Sequence, residues 1–225
     1  MNKDIETRYL SGPVELRAGD KGKKLGGYAL KYNRLSQNMG GFVEQVAPGA
    51  LNKTLADGGD VLCRYQHEDE FLLGRTSSGT LRLMPDDVGL PYEVDLPNTS
   101  YANDVAALAE RGDVSHSSFS FYTIEDEWGF TEQGFPLRTL LQIQLVDVAP
   151  VVQPAYLDTS TGLRHLAASR NLDFDSVRAA AVSGSLAALL EQRDEPQPEP
   201  ETPSEPHVPV ELLRLQGDWL SRRNL

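Results

Sequence analysis

One cysteine, Cys63, and four histidines are all that 225 residues supply of the side chains that cross-link chains or bind soft metals. A single thiol excludes an intrachain disulfide, and no CxxC metal motif is present, so neither metal nor cofactor is expected. That usage suits a reducing compartment. Long apolar runs are missing too. None approaches the ~18 residues of a membrane helix, and the polar opening "MNKDIETRYLSG" lacks the apolar segment of a secretory signal. Basic residues are outnumbered, 21 against 33 acids, for a net charge of −12. Phosphate backbones require clustered Lys and Arg, so nucleic acid is not an expected partner, and nor is a membrane. There is no G-x-S-x-G nucleophile elbow and no internal repeat.

The pattern that remains is α+β and mainly β. "GPVELRA" and "KLGGYALKYNRLS" alternate apolar and polar residues. "GGFVEQVAPGALNKTL" runs from a strand through Pro48-Gly49 into a short helix, and "DVLCRY" (60–65) is a short strand ending at "QHEDE". "TLRLM" and "LPYEVDL" flank a turn at 86–89 and form a hairpin. The spacing of Val105, Leu108 and Ala109 predicts a helix that starts after the cap residues Asn98, Thr99 and Ser100 and stops at Gly112. Strands follow over 114–123, 124–130 and 137–148.

Composition divides the chain into a domain over 1–165, a helical extension over 166–193, a linker over 194–209 and a terminal segment over 210–225. The extension, "FDSVRAAAVSGSLAALLEQR", is helical with Gly184 as its weak point. "DEPQPEPETPSEPHVP" holds six prolines and five acids in sixteen positions and cannot build a core. "VELLRLQGDWLSRRNL" reads either as a short amphipathic docking helix or as a partly disordered tail.

The chemistry concentrates in "GDVSHSSFSFYT", 112–123. On a strand, side chains alternate faces. Ser117, Phe119 and Phe121 share one face, which should pack on the core. His116, Ser118 and Ser120 share the other and look into a cleft or solvent. His116 and Ser118 are on one face but about 7 Å apart, too far for a direct hydrogen bond. His67, at the end of another strand, is either a solvated histidine or one held in a site. In "LLQIQLVDVAPVVQPAY" the parity of Ile143, Leu145, Asp147, Ala149 and Val151 makes Asp147 the lone charge on an apolar face. A buried carboxylate needs a partner, an imidazole to orient or one of the arginines; otherwise Asp147 caps a loop or sits at a bulge.

Taken in order, the motifs resemble those of the tailed-bacteriophage prohead (capsid maturation) serine proteases, distant relatives of herpesvirus assemblin. "GGYALKYNRLSQNMGGFVEQVAPGAL", "LCRYQHEDEFLLGR", "DDVGLPYEVDLP", "SSFSFYT" and "LVDVAPVVQPAY" carry the resemblance over about 8–157. It implies an assemblin-like antiparallel β-barrel with a few surrounding helices, plus a C-terminal helix and tail. It implies a serine endopeptidase with Ser118 as nucleophile, His67 as base and Asp147 as third member. Ser120 stands where the family pattern usually has glycine, Asp147 where it more often has glutamate, and Ala149-Pro150 replace the usual last-strand residues. In assemblin the third member is a histidine, which leaves His165 and His116 as alternatives to Asp147. The resemblance also implies the major capsid protein and its scaffold region as partners, a homodimer, and action inside the assembling prohead in the host cytoplasm. The alternative is a non-catalytic capsid assembly protein on a protease-like fold.

Overall fold

A computed structural model describes residues 4–11, 14–19, 22–152 and 160–191, so the expected linker and terminal segment lie outside the described residues. In chain order come β1 (Glu6–Ser11), β2 (Glu15–Gly19), β3 (Gly22–Lys31), β4 (Val43–Val46), α1 (Asn52–Ala56), β5 (Leu62–Arg64), β6 (Leu72–Arg75), β7 (Leu81–Leu83) and β8 (Gly89–Asp95). Then follow α2 (Ser100–Arg111), β9 (His116–Phe130), β10 (Pro136–Val151), α3 (Ser160–Ser169), α4 (Phe174–Ser183) and α5 (Leu186–Glu191).

Local chemistry sets several boundaries. The hairpin β7–β8 forms in the expected register, Leu81 opposite Val94. Its turn is tied by the Asp86 carboxylate, which accepts from the backbone N–H of Val88 and Gly89 at 2.8 Å. Gly112 closes α2 in the left-handed conformation, φ 85°, that glycine adopts at no steric cost. Asp173 caps α4 by accepting from Ser176 N–H at 2.9 Å.

Two hydrogen-bonded sheets result. One runs β1-β9-β10-β5-β6, with β4 also pairing β10; the other runs β2-β3-β8-β7. The expected antiparallel barrel is thus corrected in two respects. The ladders do not join into one closed sheet, and β4 and β5 both pair with β10 in parallel. The sixteen residues of β10 explain this, since its first half pairs with β4 and its second with β5. The strands expected at 114–123 and 124–130 are one, β9, bent by register shifts against β10 rather than broken.

Between the sheets lies a core that includes Leu25, Leu30, Leu90, Phe121, Leu140 and Ile143. A second cluster joins Met39 and Phe42 to Leu163, Leu166, Val177, Ala181 and Leu190 of the three C-terminal helices, with Trp128 packed 4.9 Å from the Phe42 ring. The division expected after residue 165 falls inside α3, and Met1–Glu191 forms one compact unit. Alternation and composition could not reveal this, because the extension buries its apolar face against a loop more than 120 residues earlier. Its predicted weak point is real: at Gly184, φ 74°, α4 ends and α5 begins two residues on.

Candidate active site

Three strands supply the site. β9 carries Ser118 and Ser120, β10 carries Asp147, and β5 runs into a single 3-10 turn at Tyr65–His67 that delivers the histidine. In that turn Gln66 and His67 both have positive φ, 58° and 63°. Left-handed conformations cost non-glycine residues about 1–2 kcal/mol each. The turn is held by Glu68 N–H to Tyr65 O at 3.1 Å and Tyr65 N–H to Phe71 O at 3.0 Å. Strain held this way fixes the direction of one side chain.

That side chain joins the other two. His67 Nδ1 lies 2.9 Å from Asp147 Oδ1, and Nε2 lies 2.6 Å from Ser118 Oγ. An ionised carboxylate only accepts, so Nδ1 carries the hydrogen and Nε2 is left to accept from the Ser118 hydroxyl. Ser118 and Asp147 are fully buried, while the His67 side chain keeps 18% of its surface.

The parity reading of β9 places Ser118 and Ser120 on the His67 side, and Phe119 and Phe121 in the core. The cleft face is nonetheless closed over Ser118. For β10 the parity reading fails. Leu145 pairs with Phe121 and Asp147 with Ser120, so Val146 is an extra residue in the ladder. Partners directly opposite share a face. The bulge therefore turns Asp147 out of the apolar set of Ile143 and Leu145 and onto the face of Ser118.

Asp147 has both proposed kinds of partner at once. Its Oδ1 faces the imidazole, and its Oδ2 accepts from Arg64 Nε at 2.7 Å and from Nη2. Arg64 is in turn bonded to Asp69. Burial acts against the charge on Asp147, but His67 and the Arg64 guanidinium outweigh it and hold the carboxyl below its usual range. Neighbouring Cys63 is inert: burial, with Asp147 beside it, pushes its thiol well up.

Beyond the three expected residues the site holds Ser120, whose place on this face the alternation predicts, and Arg64 and Arg8, which it does not single out. Arg64 is hidden among ordinary surface-type arginines, although its place at the end of β5, three residues before His67, is visible. Ser120 Oγ lies 3.1 Å from His67 Nδ1 and 3.0 Å from Thr7 Oγ1, which gives the unusual serine a role in seating the ring. Arg8 of β1 offers its carbonyl oxygen to Ser118 Oγ at 2.8 Å. The alternative third members lie elsewhere: His116 is bonded to Ser115, and His165 Nδ1 is 2.7 Å from Asp126 Oδ1.

On the far face of β9 and β10 sits a second charged group, fully buried. Arg138 donates to Glu6, Glu44, Asp126 and Thr123, and Arg8 donates to Glu6 and Glu44. No helix among the described residues is long and apolar enough to cross a membrane.

Comparison with known proteins adds independent findings. A family model described as caudovirus prohead serine protease matches residues 12–172. Among solved structures, that of the bacteriophage T4 capsid assembly protease, gp21, is similar with a TM-score of 0.49. The match covers 67% of this chain and 99% of that one at 11% sequence identity. No curated protein sequence matches.

Proposed function

Since the chain belongs to the caudovirus prohead serine protease family, we propose that it is a serine endopeptidase of capsid maturation working through Ser118, His67 and Asp147. The observation that carries this is the unbroken hydrogen-bonded line from Asp147 Oδ1 through the imidazole to Ser118 Oγ, at 2.9 and 2.6 Å. Ser118 Oγ attacks the peptide carbonyl while His67 Nε2 takes its proton, then returns that proton to the leaving amine. Water resolves the acyl-enzyme by the same route. Asp147 keeps the tautomer and stabilises the imidazolium, and Arg64 is a positioning residue that keeps the carboxylate ionised and aimed. The substrates are the scaffold region of the capsid protein, any separate scaffold protein, and the protease itself. The site of action is the interior of the assembling prohead.

One observation favours the second reading, a non-catalytic assembly protein: Ser118 is fully buried and its hydroxyl has the Arg8 carbonyl as a second acceptor. Co-expression of the capsid partner with the wild type, Ser118→Ala and His67→Ala separates the two. Cleavage products from the wild type alone support the protease. An intact capsid protein in all three favours the assembly role. Cleavage surviving Ser118→Ala moves the nucleophile to Ser120, because Ser117 faces the other way, 3.2 Å from Tyr92 Oη.

A further inference from the structure

The strand β1 is the edge of its sheet, paired with β9 from Glu6 opposite Phe121 to Ser11 opposite His116. It lies outside the segment matched by the family, which begins at residue 12. Main-chain pairing to an exposed strand edge needs no particular sequence, and it is a general way to hold an extended peptide. What β1 presents at that edge is a peptide bond. The Arg8 carbonyl oxygen is 2.8 Å from Ser118 Oγ, so its carbon is within about 4 Å of the nucleophile, close to the separation of a near-attack arrangement. The single hydroxyl hydrogen of Ser118 serves either this carbonyl or His67 at one time.

The side chains of β1 on the opposite face are charged and specifically received. Glu6 meets Arg138 Nη1 at 2.7 Å, and Arg8 meets Glu44 Oε1 at 2.8 Å with its guanidinium 5.5 Å above the Phe121 ring. Their charges cancel, so withdrawing β1 changes no net charge. What stays is Arg138 bonded to Glu44 at 2.9 Å and to Asp126 at 2.6 Å, with His165 on the other oxygen of Asp126, so that Glu44 has lost one of its two basic partners. That remainder suits an incoming cation beside Glu44. A groove of about 260 Å³, bordered by Arg8, Leu10, Arg34, Glu44 and Phe119, runs along β1 at this point.

We propose that peptide substrates bind as a strand on the β9 edge now held by β1, with a basic residue at Glu44 contributing the scissile carbonyl and an acidic residue two positions earlier at Arg138, and that Arg8–Tyr9 is such a bond in the chain itself. This rests on the protease reading above. Ser118 Oγ bonds to the Arg8 carbonyl carbon and its proton passes to His67 Nε2. The Arg8–Tyr9 C–N bond breaks as that proton moves to the Tyr9 nitrogen, leaving residues 1–8 as an ester on Ser118. Water then adds to the ester carbonyl, giving a carboxylate on Arg8 and restoring the serine. Departure of residues 1–8 opens the edge to other peptides. In this reading Glu44 and Arg138 determine specificity and Ser118 is buried because its first substrate is in place.

N-terminal sequencing and intact-mass measurement of the full chain, incubated with its capsid protein, test this. A new N-terminus at Tyr9, absent from Ser118→Ala, is expected. A synthetic peptide of residues 2–13, supplied to the wild type, needs no change in the protein. It should be cut after Arg8, nearly as well with Arg8→Lys, and at least about tenfold more slowly with Arg8→Asp. Ser118-dependent cleavage of the capsid protein with no Tyr9 terminus, or peptide cleavage indifferent to the residue at position 8, overturns the proposal and leaves the protease reading standing. A wild type that cuts neither chain nor capsid protein, with Ser118 unlabelled by a fluorophosphonate probe, removes that reading and the proposal with it.

Discussion

The two faces of β9 and β10 each bury a group of charges, and they are built to opposite ends. On one face, Asp147, Arg64 and His67 form a short line whose last member reaches a neutral hydroxyl and keeps an opening to solvent. On the other, all five N–H donors of Arg138 are engaged by Glu6, Glu44, Asp126 and Thr123, and its side chain is wholly buried. A saturated network has nothing left to give a reacting atom, so it can position and select but not transfer protons. The line on the first face ends in a proton that can move. The same strands thus hold one buried charged group whose central donors are all engaged and another that ends at a hydroxyl with an opening to solvent.

Replacing Asp147 by Asn should break the first face most severely. The amide can donate to Nδ1 and invert the tautomer, and a fall of about 10⁴-fold in kcat is expected with little change in the denaturation midpoint. Arg138→Met should do the reverse. It leaves Glu6 and Glu44 to share Arg8 and leaves Asp126 with His165 alone, and a loss of about 3–5 kcal/mol is expected in urea denaturation. Acid should sharpen the same contrast. Burial alone would raise the Glu6 carboxyl, but Arg138 and Arg8 overcome it and draw it from 4.5 to about 2. A pKa depressed on folding adds stability that is complete above about pH 4.5 and is lost as the pH falls towards 2. Asp126, held down by His165 and Arg138 against its burial, acts in the same direction. Denaturation midpoints should therefore drop between pH 5 and 2.5, and drop less in Arg138→Met.

Smaller effects discriminate more finely. Arg64→Met removes the Oδ2 partner of Asp147 but keeps the triad atoms. A decrease in kcat/KM of about 10–100-fold is expected, corresponding to one or two charge-assisted hydrogen bonds, with partial recovery in Arg64→Lys. Deleting 194–225 should leave peptide cleavage within about twofold while lowering incorporation into proheads, if the acidic linker tethers the enzyme by raising its effective concentration. Unchanged incorporation would dispose of the tether.

Local sequence carried much of this architecture. Alternation marked the strands and sorted the four serines of 112–123 by face, glycine and capping residues marked the helix ends, and the motif order brought His67, Ser118 and Asp147 into view together. The extension is helical as its composition predicts, but what it packs on is not legible locally, because Met39 and Phe42 are distant in the chain. Strict alternation puts Asp147 in the apolar parity, and of the alternatives the sequence leaves open the structure has the bulge, which counting along one strand cannot choose.

What the sequence determined by itself was the identity of the elements and which residues on β9 could share a face, since both follow from periodicities of two and 3.6 that act over a few residues. Tertiary structure alone decided that Asp147 turns toward Ser118, that Arg64 holds it, that His67 sits strained just past the end of β5, and that β1 lies across Ser118. Each depends on how one strand or turn meets another that is not its neighbour in sequence, and register is settled by backbone pairing across the sheet, where one extra residue reverses every side chain beyond it.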